Sequence, residues 1–462
     1  MPVFDVVVVG GGPSGSEASA RLTDHGLSVA LVEDRLVGGE CVHWACMPSK
    51  ALLRPYEALA EARRIPGARE AVNGGLDVPA VLRRRDEIIG APDDSALLPW
   101  LESHGITLVR GHGRIVGERR VMVGDEELEA RKAVVLSVGS QPLVPAFEGL
   151  AELEPGRVWT NREATTTHEI PGRIVVVGAG PEGAELAQAF QTLGSDVTLI
   201  EAQQRVLPRA EEFASAQVAV ALQEYGVDVL TGHSVVNFSQ NGGGVAVKTS
   251  AGTTASGDVV LIAVGRRPGT EDLGIETMGL EPGRLVEVDA HMRVPTVPWL
   301  YAVGDINGRA LFTHMGRYQA RLAVDHILGH EHAVTHGADG ALSPHVTFTD
   351  PQVASVGHTT ETATRAGIEF ASYDTETSGT APPNVGGFYY APNAVGTTRF
   401  LVDRERRTLI GCTITGSEVV DFLHAATVAV VGEIPLERLR HAVPPFPTRS
   451  ELWLSLLEQA GV

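Results

Sequence analysis

Basic residues are scarce in this chain: 37 lysines and arginines stand against 57 aspartates and glutamates, a formal net charge of -20. That balance argues against a polyanionic partner such as nucleic acid or an anionic membrane surface. No apolar run reaches the roughly 18 residues of a membrane span. Met1-Pro2-Val3-Phe4-Asp5 runs straight into Val6 to Val9, without the basic and apolar segments of a secretory leader, so a cytoplasmic location and no membrane contact are expected. Cysteine is scarcer still, with only Cys41, Cys46 and Cys412. In a reducing compartment, a close pair such as Cys41 and Cys46 points to catalysis or metal binding rather than a structural cross-link. What remains is ordinary globular material, 43% hydrophobic and 20% charged, long enough for about three domains.

The apolar run Val6 to Val9 reads as a buried strand, and glycines at 10, 12 and 15 then open a helix through Glu17 to His25. Gly10 permits a tight turn, Gly12 admits a pyrophosphate close to the backbone, and Gly15 lets helix and strand pack. The anion is expected on the helix N-terminus. A second strand, Ser28 to Val32, delivers Glu33 to where a carboxylate bonds the hydroxyls of an adenosine ribose.

The pattern recurs from Arg173 to Val177, with Gly178, Gly180 and Gly183, a helix from Ala184 to Leu193, and a strand from Asp196 that ends in Glu201. A carboxylate at Glu201 repels a ribose 2'-phosphate, so NADH is preferred over NADPH, with Arg205 a moderating cation. Two such cradles imply a bound FAD that meets a diffusible nicotinamide. Leu136 to Pro142, with Gly139, and Ile262 to Pro268, with Gly265, are similar strand-to-turn segments that each close a nucleotide unit. Leu300 to Asp305 brings a carboxylate to a strand end, where Asp305 can hold a polyol hydroxyl of FAD or cap the following helix.

The segment Gly38-Gly39-Glu40-Cys41-Val42-His43-Trp44-Ala45-Cys46-Met47-Pro48-Ser49-Lys50 carries the cysteines five positions apart. Positions five apart in a regular helix rise about 7.5 Å, beyond the roughly 6.8 Å that a disulfide tolerates between Cα atoms. The turn between them must be distorted. Pro48 suits the first turn of a helix through Leu52, Leu53 and Tyr56, which places Cys46 at a positive helix end that lowers a thiol pKa. A zinc site would need two further ligands, and Cys412 with scattered histidines lacks the paired spacing. Cys412 reads as a small buried apolar residue.

With its leading glycine pair, its cysteine spacing and the Pro-Ser-Lys that follows, this segment resembles the redox-active stretch of the flavoprotein disulfide reductases. This is the class I pyridine nucleotide-disulfide oxidoreductase family of dihydrolipoyl dehydrogenase, glutathione reductase and mercuric reductase. The resemblance implies an α/β chain with two Rossmann-like domains and a C-terminal α+β dimerisation domain. The expected division is residues 1–150 and 271–340 for FAD, 151–270 for NAD(P) and 341–462 for the dimer interface. It further implies that Cys46 faces the flavin, that Cys41 attacks the substrate, and that Lys50 pairs with Glu185 beside the flavin. A homodimer follows, each copy lending Phe446 and Glu451 to the other's site.

One feature departs from the family. Its C-terminal histidine, the proton shuttle before Pro-Thr, is replaced: the chain reads Phe446-Pro447-Thr448, with Glu451 retained. A phenyl ring carries no proton, and losing such a group costs about 10²- to 10⁴-fold in rate. His441 is near in sequence but reads as a surface residue. The expected activity is NADH to FAD to the Cys41–Cys46 pair and on to a small-molecule acceptor. Three alternatives stay open: a diaphorase that reduces quinones from its flavin, a carboxylase-type member similar to 2-ketopropyl coenzyme M oxidoreductase/carboxylase, which also has this phenylalanine, and a redox-sensing flavoprotein. Trp44 either narrows the disulfide pocket or fills core space.

Overall fold

The computed structural model describes residues 1–91, 93–335, 337–340, 342–377 and 395–462. These divide into two compact units, one of residues 1–48, 83–143 and 266–340, the other of residues 49–82, 144–265 and 341–462. No described helix is long and apolar enough to cross a membrane.

The first unit is built on a seven-stranded sheet. Its centre is the strand Val3–Val9, flanked in parallel by Val29–Glu33 on one side and Glu126–Leu136 on the other. Val6, Val7 and Val8 are fully buried. A strand covered on both faces has no reason to alternate polar and apolar residues, so it reads as a continuous valine run. Thr107–Arg110 extends one edge, and Leu300–Ala302 pairs in parallel with Glu126–Leu136. The helices Pro13–Asp24 and Thr313–Ile327 pack on each other. Gly316 makes that approach possible, because a Cβ there would lie 2.3 Å from Ser14 Oγ.

The two similar turn segments found in the sequence pair with each other. Ser140–Pro142 and Arg266–Pro268 form an antiparallel ladder, with Gln141 opposite Arg267.

The second unit holds another parallel sheet, in the order Asp228–Thr231, Asp196–Glu201, Arg173–Val177, Val259–Ile262 and Val158–Trp159. The helix Pro181–Thr192 follows the central strand. A three-stranded antiparallel meander covers 235–257. The C-terminal part is a five-stranded antiparallel sheet in which Gln352–Gly357 and Leu409–Gly416 are central. Helices Leu423–Val431 and Leu452–Gln459 contribute Leu423, Ala426, Leu452 and Leu456 to its core. Leu52 and Leu53, from the helix Cys46–Arg64, are buried with Ala189 and Leu193, at about 1.5–3 kcal/mol for each leucine side chain.

Candidate active site

At the end of the strand Val3–Val9, Gly10 adopts a φ of +107°, and a Cβ on it would lie 2.5 Å from the Ser137 carbonyl oxygen. A Cβ on Gly15 would lie 1.9 Å from the Gly10 carbonyl oxygen, whereas one on Gly12 would meet nothing within 4 Å. Two of the glycines are therefore demanded by packing, and the third faces open space. The helix Pro13–Asp24 starts there with no side-chain cap, so its first amides are left for an anion. Glu33 Oε2 accepts from the Gly11 amide at 2.6 Å and Oε1 from the Arg35 amide at 2.8 Å. Burial pushes this carboxyl above the usual carboxylate range, against the pull of the two amides. Each oxygen keeps a second acceptor position, which suits a ribose hydroxyl.

Gly139, with φ +67°, leads to Ser140, whose hydroxyl donates to Asp305 Oδ2 at 2.6 Å. Arg266 Nε donates to the same serine oxygen at 2.7 Å, and Arg266 Nη2 lies 3.3 Å from Glu40 Oε1. Sequence reasoning missed Glu40, Arg266 and Ser140. Their only signal was a charged residue wedged between the glycine pair and Cys41. The uncapped helix start, the open face of Gly12 and the carboxylates of Glu33 and Asp305 together fit an FAD dinucleotide.

The second cradle repeats the geometry. A Cβ on Gly178, at φ +100°, would lie 2.4 Å from the Ala263 carbonyl oxygen; one on Gly183 would lie 1.9 Å from the Gly178 carbonyl oxygen; Gly180 is open. Glu201 accepts from the Ala179 amide at 2.7 Å and the Gln203 amide at 2.8 Å. Arg205 is engaged by Glu212 at 3.2 Å and Glu361 at 3.5 Å. Gly265 has φ +127°.

The cysteines belong to different helices. The short helix Gly39–His43 stops at Trp44, whose φ of -136° leaves the helical region, and a new helix starts at Cys46. This break is the distortion that the five-residue spacing requires. Thr313, the first residue of its helix, donates its hydroxyl to Cys41 Sγ at 3.1 Å and lies 3.5 Å from Cys46 Sγ. The hydroxyl has one proton, so it donates to only one of the two sulfurs at a time. Sequence reasoning also missed Thr313, which carries no motif. His43 is buried, and its Nε2 meets the Val37 carbonyl at 2.8 Å.

In the second unit, Lys50 Nζ lies 2.6 Å from Glu185 Oε2 and 4.8 Å from the centre of the Phe348 ring. Glu185 is 3% exposed, and its other oxygen accepts from the Phe348 amide at 2.9 Å. Phe446 is 73% exposed. Glu451 has a buried Oε2 with no hydrogen-bond partner among the described residues. His441 is exposed. Cys412 is buried, and burial pushes its thiol far up.

Residues 4–325 match the family model of the pyridine nucleotide-disulphide oxidoreductases, and residues 343–456 match the dimerisation domain of the same family. The chain belongs to this family. A mercuric reductase of Staphylococcus aureus is 28% identical to this oxidoreductase across 97% of the chain and 81% of its own length. A dihydrolipoyl dehydrogenase of Chlamydia muridarum is 30% identical across 97% of the chain and 95% of its own. Among solved structures, LpdA from Mycobacterium tuberculosis superposes with a TM-score of 0.85 at 23% identity, covering 100% of both chains. The HOCl-induced flavoprotein disulfide reductase RclA from Escherichia coli superposes at 0.84 and 24% identity, covering 98% and 99%. At those identities the two structures speak for the fold. The oxidoreductase is a flavin-dependent pyridine nucleotide-disulfide enzyme of α/β fold, with FAD and a pyridine nucleotide as its cofactors.

Proposed function

We propose that this oxidoreductase takes reducing equivalents from NADH, by way of bound FAD, to the Cys41–Cys46 pair and on to a small-molecule acceptor. When bound, FAD supplies the two-electron relay between nicotinamide and sulfur. The chain's own residues do the rest. Gly12 and the uncapped helix start receive the pyrophosphate, Glu33 the ribose and Asp305 a polyol hydroxyl, while Gly178, Gly180 and Gly183 seat the nicotinamide dinucleotide. Glu201 keeps out a 2'-phosphate by charge, and the engagement of Arg205 by two glutamates removes the cation that would welcome one.

Cys46, on its helix N-terminus, is the sulfur held as a thiolate, and Cys41 is the one that exchanges with substrate. Lys50 and Glu185 are proposed to act as a fixed charge pair beside the flavin. The observation that carries this reading is the convergence of both sulfurs on the single hydroxyl of Thr313, in the unit that also contains the Gly10 cradle. Division of the chain into FAD residues 1–150 and 271–340, NAD residues 151–270 and interface residues 341–462 is part of this proposal, as is a homodimer. The dimerisation match and the exposed Val443 and Phe446 support that assembly.

Phe446 also favours a second reading. Without an imidazole at this place, protons for dithiol exchange must come from the acceptor or from water, which suits a diaphorase that passes electrons to quinones. Anaerobic NADH titration of wild type and Cys41→Ser, followed by lipoamide, low-molecular-weight disulfides and quinones, separates the two. The first reading expects loss of disulfide turnover in Cys41→Ser; unchanged turnover with every acceptor rejects it in favour of the second.

A further inference from the structure

In the first unit, His291, His326 and Glu331 bring one ligand atom each to within 4.8 Å of one another. The three come from separate places. His326 lies in the last turn of the helix Thr313–Ile327. Glu331 lies just beyond that helix, after Gly329 at φ +90°. His291 sits in a turn held by Asp289, whose Oδ1 accepts from the amides of His291 at 2.9 Å and Arg293 at 3.0 Å.

Hydrogen bonding prepares the ring nitrogens. His291 Nδ1 lies 3.0 Å from the His332 carbonyl oxygen. A carbonyl only accepts, so Nδ1 carries the proton and Nε2 presents its lone pair. That Nε2 is 3.9 Å from Glu331 Oε2. His326 Nδ1 lies 2.7 Å from the Tyr301 hydroxyl; in the tautomer with Nδ1 protonated the hydroxyl accepts, orients the ring and leaves Nε2 free to bind a metal. Tyr301 is buried.

The two imidazoles stack with centroids 4.6 Å apart. Two imidazolium ions at that spacing would repel. Arg293, in the same turn as His291, is compensated by Asp289 at 3.2 Å. A helix C-terminus carries partial negative charge, which favours a cation near His326.

We propose that His291, His326 and Glu331 bind one divalent transition metal of the zinc class, at a site separate from the cysteine pair. Two imidazole nitrogens and a carboxylate suit zinc, nickel or copper and disfavour calcium and magnesium. Water fills the remaining coordination positions. Bonds of about 2.0–2.1 Å to nitrogen require the ligand atoms to close to roughly 3.3 Å of one another. Glu331 is an exposed side chain and can swing inward to meet the rings. Closure would fasten the segment after the helix onto its last turn and onto the 289–293 turn.

The test uses the full-length flavin-loaded protein, stripped with chelator, with Cys41 and Cys46 capped by iodoacetamide so that sulfur cannot bind the probe. Zinc chloride is titrated calorimetrically, and cobalt(II) is followed by its visible absorption. One zinc per chain is expected, with a cobalt spectrum free of thiolate charge-transfer bands. His326→Ala and His291→Ala should each weaken binding by at least about tenfold, and Tyr301→Phe by about tenfold through the lost outer hydrogen bond. Glu331→Gln, at an exposed position, keeps the test open should a histidine variant fail to fold. Absence of zinc binding below about millimolar concentration, or affinity unchanged in both Glu331→Gln and His326→Ala, would overturn the proposal.

Discussion

Thr313 directs its hydroxyl proton at the sulfur of Cys41, 3.1 Å away, from the first residue of a helix whose other end lies at Ile327. A hydrogen bond donated to sulfur favours the thiolate. Thr313→Val keeps the shape and deletes the donor. The inflection in the pH profile of Cys41 alkylation should therefore rise by about one pH unit, measured by mass spectrometry of the Cys41 peptide. An unmoved inflection would show that the hydroxyl only fills space.

Gly12 and Gly15 test the first cradle in opposite ways. Gly12→Ala adds a methyl group where nothing lies within 4 Å, so the fold should survive while FAD affinity drops at least about tenfold from lost pyrophosphate contact. Gly15→Ala puts its methyl against the Gly10 carbonyl and should lower thermal stability, with a cost of about 1–3 kcal/mol from overpacking. Circular dichroism and flavin fluorescence read the two effects separately.

Lys50→Met leaves the buried Glu185 carboxylate with only the Phe348 amide among the partners described above. Lys50 is about one-third exposed, so water screens part of the loss, and an unfolding cost of about 1–3 kcal/mol is expected. Adding Glu185→Gln should recover some of it, because the orphaned charge is gone. Urea unfolding of the two single variants and the double variant measures the coupling; strict additivity would contradict a direct pair.

Phe446→His restores a titratable ring where this chain has a phenyl group. If the family's proton shuttle operates from this position, disulfide reduction with lipoamide or glutathione disulfide should rise by about 10²-fold or more. Activity that follows an imidazole pKa near 6.5 would accompany it. An unchanged rate would place the proton step elsewhere.

Glu201→Ala should narrow the proposed preference for NADH over NADPH by about tenfold, through loss of a carboxylate that repels the 2'-phosphate. The ratio of kcat/KM values for the two nucleotides is the measure, and an unmoved ratio would assign Glu201 to holding the Ala179 and Gln203 amides alone.

Much of the architecture was legible along the chain. The valine run from Val6 to Val9 and the glycines at 10 and 15 announce a buried strand and a close helix, because burial and steric space act between residues near in sequence. That the chain between Cys41 and Cys46 must leave a regular helix followed from rise per residue, but its place at Trp44 did not. The pairing of Ser140–Pro142 with Arg266–Pro268 did not, since each segment reads as an isolated turn. Nor did the ion pair of Glu40 with Arg266, whose residues are separated by more than two hundred positions.

Sequence by itself determined the parts that local forces decide: strand and helix, the left-handed backbone at Gly10 and Gly178, and the cysteine that begins a helix. Tertiary structure alone decided which distant groups meet. Thr313 reaches the sulfurs, and His291 stacks on His326, only because the order of parallel strands and the packing of helices set where each chain segment emerges. Such contacts are selected by the energy of the whole packed unit, and no periodicity in the chain encodes them.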